Sequence, residues 1–261
     1  MTITSRQNPL VARFRDAARG DAGEMMLLDG AHLVADAIAA RLRIDLAAVT
    51  PASREQPDIQ QLTAALAEAG VPVATVAQPV MDAVSPVRSS SGIVALAARP
   101  SFQADRIYAG SAPLIVIAVD VQDPGNVGAI VRVAEAAGAT GVVSAGASAN
   151  PFGWKALRGS MGSALRLPTF AAAEVDTAIA DARRRGCRII ATAPRRGRSV
   201  FALDLKGPVA VLIGGEGPGL PQAVAEAADE RVTIPMEAPV ESLNAAVTAA
   251  LILYEARRQR S

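Results

Sequence analysis

The sequence predicts an α/β protein of two domains. Strand-like apolar runs alternate with helix-like segments along most of its 261 residues, which is the pattern of strands joined by crossover helices. Hydrophobic residues make up 51% of the chain and charged residues 20%, so the chain can bury a core of its own. At roughly 100–200 residues per domain, this length allows two modest domains.

The first segments predict a small α/β domain over residues 1–98. Apolar residues recur at helical spacing in residues 8–20, where Gly20 is placed to end the helix. Strands are predicted at 25–28, 45–50, 71–76 and 92–97, and helices at 31–40 and 58–70. Residues 99–113 contain two prolines and Gly110, and we expect them to form a linker.

The remaining residues, 114–261, predict a second α/β domain. Its strands are expected at 114–119, 141–144, 188–192, 208–213 and 231–235. Its helices are expected at 126–138, 175–186, 221–229 and 242–259, and residues 150–165 are interpreted as loop and helix. Regular alternation of this kind predicts a mostly parallel sheet.

Composition excludes several classes of chemistry. The chain has one His, His32, and one Cys, Cys187, so a Cys/His zinc site and an intrachain disulfide are excluded and no metal is expected. Any serine or cysteine hydrolase mechanism would depend on His32 alone. Aromatic residues, at 3%, are too few for a base-stacking sheet. No apolar run approaches the roughly 20 residues of a membrane span, and no signal peptide is evident, so we expect a cytoplasmic protein.

Basic residues are concentrated in two places. Seven arginines and no acidic residue lie between Arg183 and Arg198, and Arg257, Arg258 and Arg260 lie near the end of the chain. Guanidinium groups bind phosphate in a bidentate fork, so such clusters can hold nucleic acid. A solvated basic face explains the same pattern, and charge alone does not separate the two interpretations.

Polar residues follow the predicted strand at 114–119. The segment from Asp120 to Arg132 contains a Pro-Gly turn and places Asn126 at the start of a helix. In open α/β sheets ligands bind outside the carboxyl ends of the strands, so Asn126 and Arg132 are candidates for a cleft there. A turn followed by a helix N-cap is the structural alternative.

Two further clusters also lie at strand-to-helix junctions. Residues 213–219 place Glu216 among four glycines, whose backbone can approach a ligand closely. Their spacing matches neither a dinucleotide fingerprint nor a Walker A loop, and a tight turn with a solvated glutamate is the alternative. Residues 234–247 contain Ser242 and Asn244 ahead of the final helix, where both are candidate caps.

Taken together, the three clusters resemble, in order and spacing, the motifs of the SpoU (TrmH-like) family of SPOUT RNA 2′-O-ribose methyltransferases. The resemblance covers residues 114–261 and includes a second loop with Lys155, Arg158 and residues 160–163. Residues 5–9, 28–30 and 90–94 resemble the substrate-binding domain of ribosomal RNA members, which has a fold similar to a small RNA-binding ribosomal protein. Residues 89–92 depart from that pattern, reading Ser-Ser-Ser-Gly instead of Ser-Pro-Gln-Gly.

The resemblance implies a fold, a cofactor and a set of site residues. It implies S-adenosylmethionine as methyl donor, a trefoil knot in which residues 234–244 thread a loop, and a homodimer with the active site at the subunit interface. By position, the family's donor contacts correspond to Gly214, Ile234 and Leu243. Its catalytic set corresponds to Asn126, Arg132, Glu216, Ser242 and Asn244.

In the family that the chain resembles, activation of the hydroxyl is usually assigned to the arginine that corresponds to Arg132. A guanidinium stays protonated in proteins and is a poor base, so we favour a role in which Arg132 holds the target phosphate or polarises the hydroxyl. Ser242 or Glu216 is a candidate to assist. The final helix is the predicted dimer contact because its residues are small and apolar. The alternative is that these residues form a core within one chain. The residues are Ala245, Ala246, Ala249, Ala250, Ile252 and Leu253.

The resemblance thus implies methylation of a ribose 2′-hydroxyl in structured RNA. Ribosomal RNA is favoured because the N-terminal domain resembles that of the ribosomal RNA members. Transfer RNA is the alternative substrate, and a non-catalytic RNA-binding protein is the alternative class. A nicotinamide-dependent dehydrogenase is disfavoured because the chain lacks the glycine fingerprint.

Overall fold

Residues 2–87 and 90–261 are described by a computed structural model, in which the chain forms two compact units. Unit 1 contains the residues up to Ser101 together with Phe152–Arg166, and unit 2 contains Phe102–Pro151 and Leu167–Ser261. Ser89, the first residue of the departing segment 89–92, lies outside the described residues.

Helices and strands alternate in both units. In unit 1 they are α1 (Pro9–Arg19), β1 (Met25–Asp29), α2 (Ala31–Ala39), β2 (Ile44–Val49), α3 (Pro51–Arg54), α4 (Pro57–Glu68), β3 (Val73–Thr75), α5 (Gln78–Val84) and β4 (Ile93–Ala98). In unit 2 they begin with β5 (Leu114–Val119), α6 (Pro124–Ala137) and β6 (Gly141–Ala145). The segment Phe152–Arg166 then contributes α7 (Trp154–Ser160) to unit 1.

Unit 2 resumes after α7. Its further elements are β7 (Thr169–Ala172), α8 (Val175–Arg184), β8 (Arg188–Thr192), β9 (Arg198–Ser199), β10 (Val209–Gly214), α9 (Gln222–Glu226), β11 (Glu230–Thr233) and α10 (Ala245–Arg260). Short 3₁₀ turns lie at Ala104–Tyr108, Ser163–Leu165 and Val200–Ala202.

Local sequence explains where the helices begin and end. Asn8 caps α1, its side-chain oxygen accepting a hydrogen bond from the backbone N–H of Leu10 at 2.9 Å. Gly20 ends the same helix in the left-handed conformation at φ 86°, which a side chain would disfavour. Both ends of α1 therefore lie close to the positions predicted from the sequence.

Unit 1 is built on a four-stranded sheet in the order β1-β4-β2-β3. The neighbours β2 and β3 pair in parallel, and β4 pairs antiparallel with both β1 and β2. Its core includes Phe14, Leu27 and Met81, which are fully or almost fully buried, and Trp154 of α7 packs against it. The predicted boundaries did not include this segment in the N-terminal domain. The assignment of residues 1–98 to RNA binding remains a prediction.

Unit 2 is built on a seven-stranded sheet in the order β7-β6-β5-β10-β8-β11-β9, and every paired strand is parallel. This confirms the predicted α/β class with a parallel sheet. All six residues of β5 are buried, as their continuous apolar run predicts. Ile107, which lies in the predicted linker 99–113, is buried in the core of this unit. The trefoil knot remains a prediction.

Several short elements were not predicted. Helices α3 and α5 and strands β7 and β9 have two to seven residues each, which is too short for a clear periodicity. The final helix begins at Ala245, so its predicted start at Ser242 is wrong. The four residues before Ala245 are exposed or only partly buried, and Asn244 provides the cap.

The inner face of α10 packs within its own unit. Ala245, Ala249, Ile252 and Leu253 are buried there, which supports the intramolecular alternative for these members of the predicted dimer contact. The apolar residues that α10 leaves exposed are Val247, Leu251 and Tyr254. Among the described residues, no helix is both long enough and apolar enough to cross a membrane.

Candidate active site

The first two polar clusters lie side by side because they follow neighbouring strands. Val119, the last residue of β5, is paired in parallel register with Gly214, the last residue of β10. Just beyond these strand ends, the backbones of Asp120 and Gly215 lie so close that a Cβ on Gly215 would overlap the carbonyl oxygen of Asp120. Only glycine fits at that position. The loops 120–123 and 215–219 therefore share one edge of the sheet, where parallel sheets bind ligands.

Asn126 lies in the first turn of α6 and does not cap it. The cap is Asp123, whose side-chain oxygen accepts a hydrogen bond from the backbone N–H of Asn126 at 2.8 Å. The side chain of Asn126 is therefore available, and its Nδ2 donates a hydrogen bond to Oε1 of Glu216. The structural alternative of a turn followed by a helix N-cap therefore holds at Asp123, and it leaves the side chain of Asn126 for the contact with Glu216.

Asn244 combines a structural role with a contact to the same cluster. Its Oδ1 accepts hydrogen bonds from the backbone N–H groups of Ala246 at 2.9 Å and Val247 at 3.3 Å, which caps α10. Its Nδ2 points the other way, donating to Oδ1 of Asn126 at 3.0 Å and lying 3.5 Å from Oε1 of Glu216. The cap and the functional interpretation are compatible because they use different atoms of one side chain.

The three side chains form a polar cluster from three separate parts of the chain. The Nδ2 groups of Asn126 and Asn244 both point to Oε1 of Glu216, and no donor among the described residues contacts its Oε2. Two donors on one oxygen fix the orientation of a carboxylate and leave the other oxygen as an acceptor. The cluster can therefore hold a hydroxyl group and accept its hydrogen bond.

Glu216 also lines a pocket between the ends of β8, β10 and β11. Gly214, Ile234 and Leu243, the three predicted donor contacts, line this pocket together with Ser242. Further lining residues are Thr192, Ala193, Pro194, Ile213, Gly215, Gly217, Pro218, Gly219, Leu220, Ala225, Val232, Met236, Ala245, Thr248 and Ile252.

The pocket suits S-adenosylmethionine on the chemistry of its walls. Its lining includes the aliphatic side chains of Leu220, Ile234 and Ile252, which can pack against a flat purine. It also includes the loop 214–219, where four glycines leave peptide N–H and C=O groups that can hydrogen-bond to adenosine. A Cβ on Gly214 would overlap the backbone of Gly219 and Leu220, so the loop requires glycine there.

Arg132 is not part of the cluster. It lies on α6 with an exposed side chain, and among the described residues it forms no hydrogen bond with Asn126, Glu216 or Asn244. Ser242 is exposed and lines the pocket, but it too is not hydrogen-bonded to the cluster. Of the five predicted catalytic residues, the structure brings three into mutual contact.

Two supporting residues were missed in the sequence. Thr192 ends β8 and lines the pocket, and its hydroxyl donates to the carbonyl of Leu212 at 2.9 Å, which ties two strand ends together. Asp120 adopts φ 54°, and its side chain accepts a hydrogen bond from the N–H of Ala147 at 2.8 Å. Their common signal was a polar residue at the carboxyl end of a predicted strand.

The C-terminal arginines serve the fold. Arg258 forms a two-point contact with Glu255 at 2.7 and 2.8 Å, and that contact, with a hydrogen bond from Gln259, lowers the pKa of Glu255 to about 2. Arg260 donates to three backbone carbonyl groups, and its partial burial lowers its pKa. Arg257 donates to the carbonyl of Ala136 at 3.3 Å. These contacts argue against a nucleic-acid role for this cluster.

Within residues 2–87 and 90–261, no group of three or more His, Cys, Asp or Glu side chains is arranged to hold a metal ion.

The chain is similar to known RNA methyltransferases over nearly its whole length. Residues 113–254 match the SpoU rRNA Methylase family. An uncharacterized tRNA/rRNA methyltransferase of Synechocystis sp. is 32% identical, with 99% of this chain and 94% of the relative covered. A 23S rRNA (guanosine-2′-O-)-methyltransferase of Ralstonia nicotianae is 31% identical, with 90% of this chain and 96% of the relative covered.

A solved structure shows the same fold. The AdoMet-bound rRNA methyltransferase of Sinorhizobium meliloti superposes with a TM-score of 0.87 at 28% identity, covering 99% of this chain and 97% of that one. The match includes both units.

Proposed function

The chain belongs to the SpoU rRNA Methylase family, and we propose that it transfers the methyl group of S-adenosylmethionine to a ribose 2′-hydroxyl of ribosomal RNA. The observation that carries this proposal is the hydrogen-bonded cluster of Asn126, Glu216 and Asn244, because Glu216 also lines the pocket suited to the donor. An acceptor for a hydroxyl thus adjoins a site for a methyl donor.

When bound, S-adenosylmethionine supplies a methyl group on a positively charged sulfur, which a hydroxyl oxygen attacks in line. The chain's part is to position that hydroxyl, and positioning supplies much of the rate in such reactions. Glu216 accepts the hydrogen bond of the hydroxyl through Oε2 and is placed to take its proton as the oxygen–carbon bond forms and the carbon–sulfur bond breaks, while Asn126 and Asn244 hold the carboxylate in place. Gly214, Ile234 and Leu243 hold the donor, and Ser242 lines the same pocket.

Arg132 is proposed to bind the target phosphate or to polarise the hydroxyl. The lack of a hydrogen bond between Arg132 and the cluster within one chain fits the predicted homodimer, in which the active site lies at the subunit interface. The exposed stripe of Val247, Leu251 and Tyr254 on α10 supports that dimer, since these residues recur at helical spacing on one face. Helices α6 and α10 pack together, so Arg132 and this stripe lie on neighbouring helices.

Ribosomal RNA is preferred over transfer RNA as the substrate because unit 1 is part of the similarity. The Ralstonia and Sinorhizobium proteins, whose names specify ribosomal RNA, match 90% and 99% of the chain. Residues 1–98 are the proposed RNA-binding domain, and residues 114–261 the methyltransferase domain. The cytoplasm, where ribosomal RNA lies in bacteria, is the proposed location.

Incubation with S-adenosylmethionine labelled in its methyl group tests the proposal. Separated 23S, 16S and transfer RNA, transcribed without modification, serve as substrates, and labelled nucleosides are mapped after digestion. We expect a single 2′-O-methylated nucleotide in ribosomal RNA. Label in transfer RNA alone would select the alternative substrate. Full RNA binding with no label in any RNA would select the non-catalytic alternative.

A further inference from the structure

The seven arginines between Arg183 and Arg198 divide into two groups by their contacts. The first four are engaged within unit 2. Arg183 and Arg184 form ion pairs with Asp229 at 3.0 Å and Asp181 at 2.8 Å. Arg185 pairs with Asp105, and Arg188 pairs with Glu230 at 2.8 Å. These pairs connect α8 and β8 to their surroundings, so we assign the first group to the fold.

The other three arginines are poorly neutralised; Arg195 and Arg196 lie on the loop that follows β8, and Arg198 begins β9. Arg196 forms no ion pair or hydrogen bond among the described residues. Arg195 contacts only Glu241, at 3.3 Å, in a pair whose side chains are 71% and 81% exposed. Arg198 shares Glu230 with Arg188, at a longer distance of 3.5 Å. The loop therefore carries net positive charge.

This loop is anchored on both sides of its arginines. Thr233 of β11 accepts a hydrogen bond from the N–H of Gly197 at 2.8 Å and donates one to the carbonyl of Ala193 at 3.0 Å. A Cβ on Gly197 would overlap Thr233, so the loop lies directly on β11. Between these anchors Arg196 adopts the left-handed conformation, with φ 61°. Such a conformation is unfavourable for a side-chain-bearing residue and is concentrated at functional sites.

The charged loop also forms one wall of a cleft beside the donor pocket. Arg195 and Arg196 line this cleft together with residues 238–241. Pro194, Ile234 and Met236 belong to both the cleft and the donor pocket. A nucleotide whose ribose reaches the methyl donor would therefore have its chain continue past Arg195 and Arg196.

We propose that this cleft binds a backbone phosphate of the RNA next to the target nucleotide, with Arg196 as the free cation and Arg195 as a second one that the phosphate draws away from Glu241. The proposal rests on the proposed function, since it assumes an RNA substrate at the donor pocket. A guanidinium matches two phosphate oxygens in a planar fork. An exposed ion pair such as Arg195–Glu241 contributes little stability, so phosphate can replace the carboxylate.

RNA binding of the full chain, measured against KCl concentration, tests the proposal. The variants are Arg196→Ala and Arg195→Ala/Arg196→Ala, and the matched control is Arg184→Ala, which removes an exposed, ion-paired arginine from the same run. We expect each lost phosphate contact to weaken RNA binding several-fold near 0.1 M salt and to reduce the slope of log K against log salt by about 0.7–0.9. Binding of S-adenosylmethionine should not change in either variant.

A variant that is expected to tighten RNA binding, instead of weakening it, provides a second test. Glu241→Gln frees Arg195 and is expected to tighten RNA binding more than Asp181→Asn, which removes the carboxylate paired with Arg184. Unchanged salt slopes in both arginine variants, or equal losses in Arg184→Ala, would overturn the proposal. These outcomes are judged on a wild-type chain that methylates RNA. A wild-type chain that binds S-adenosylmethionine but methylates no RNA would instead overturn the proposed function.

Discussion

Asn244 donates a hydrogen bond from Nδ2 to Oδ1 of Asn126 at 3.0 Å, although the two residues are 118 positions apart in the chain. The same Asn244 caps α10 through its oxygen, and the same Asn126 donates to Glu216. The start of the last helix, the start of α6 and the glycine loop after β10 are therefore held together by one set of side chains. A shift of any one of them moves the proposed hydroxyl acceptor.

The two roles of Asn244 can be separated by substitution. Asn244→Asp keeps an acceptor for the cap but replaces both donors to the cluster with a carboxylate beside Glu216, so we expect methyl transfer reduced roughly tenfold or more. Asn244→Ala loses the cap as well and should be less stable by about 1 kcal/mol. Thermal melts and single-turnover rates measure the two effects. Equal rates in Asn244→Asp and the wild type would contradict a role in the site.

Leu243 tests the donor pocket with less risk to the fold than Gly214. A side chain on Gly214 would overlap backbone atoms, whereas Leu243 is a partly exposed residue of the pocket wall. We expect Leu243→Asp to weaken binding of S-adenosylmethionine at least tenfold, because it places a charge among the apolar side chains that line the donor pocket. Calorimetric titration measures the affinity. Ala180→Asp, on the exposed face of α8, is the control and should bind normally. Normal binding by Leu243→Asp would remove this residue from the donor site.

Arg132 is the proposed contact to the RNA at the moment of transfer. Loss of one charge-assisted contact in the transition state costs roughly 2–4 kcal/mol, or about 30- to 1000-fold in rate, so Arg132→Ala should reduce single-turnover methylation by that factor. Donor affinity should stay near normal. Arg132→Lys should restore only part of the rate because an ammonium lacks the planar fork.

Arg184→Ala serves as the matched control for Arg132 as well. It removes an exposed helical arginine from α8 and should retain the wild-type rate at saturating donor and RNA. If a folded Arg132→Ala protein also kept the wild-type rate, Arg132 would have no part in catalysis.

The exposed stripe on α10 predicts how the chain associates. Leu251→Glu puts a charge at the centre of Val247, Leu251 and Tyr254, and we expect it to shift a dimer at micromolar concentration to monomer. Ala180→Glu adds the same charge on α8 and should remain dimeric. Sedimentation equilibrium distinguishes the two states. A wild-type chain that sediments as a monomer would contradict the proposed dimer directly.

Strand ends explain which parts of the site were visible in the sequence. Polar residues after the strands ending near 119 and 213 were expected at strand-to-helix junctions, on the side of the sheet where ligands bind, and Asn126 and Glu216 are in contact there. Asn244 was singled out as a polar residue ahead of an apolar helix. The direct contact between its amide and that of Asn126 depends on a connection between distant segments that periodicity does not encode.

Other features depend on packing, which the sequence does not show directly. The segment Phe152–Arg166 was expected to belong with its sequence neighbours, but Trp154 packs on the core of unit 1. The sequence shows which residues of α10 are apolar, but it does not show which of them pack inside unit 2 and which face solvent. The arginines at 183–198 formed one cluster by composition, and only their ion-pair partners separate them into two groups.

The central claim is that the methyl group is attached to a ribose 2′-hydroxyl of ribosomal RNA. Alkaline hydrolysis of labelled 23S RNA tests this most directly, because the 2′-hydroxyl is the group that attacks the neighbouring phosphodiester during alkaline cleavage. A methylated ribose blocks that attack, so we predict that the label is recovered in an alkali-resistant dinucleotide and that the Arg132→Ala protein yields little of it. Label recovered in mononucleotides would show methylation of a base and would contradict the proposed reaction.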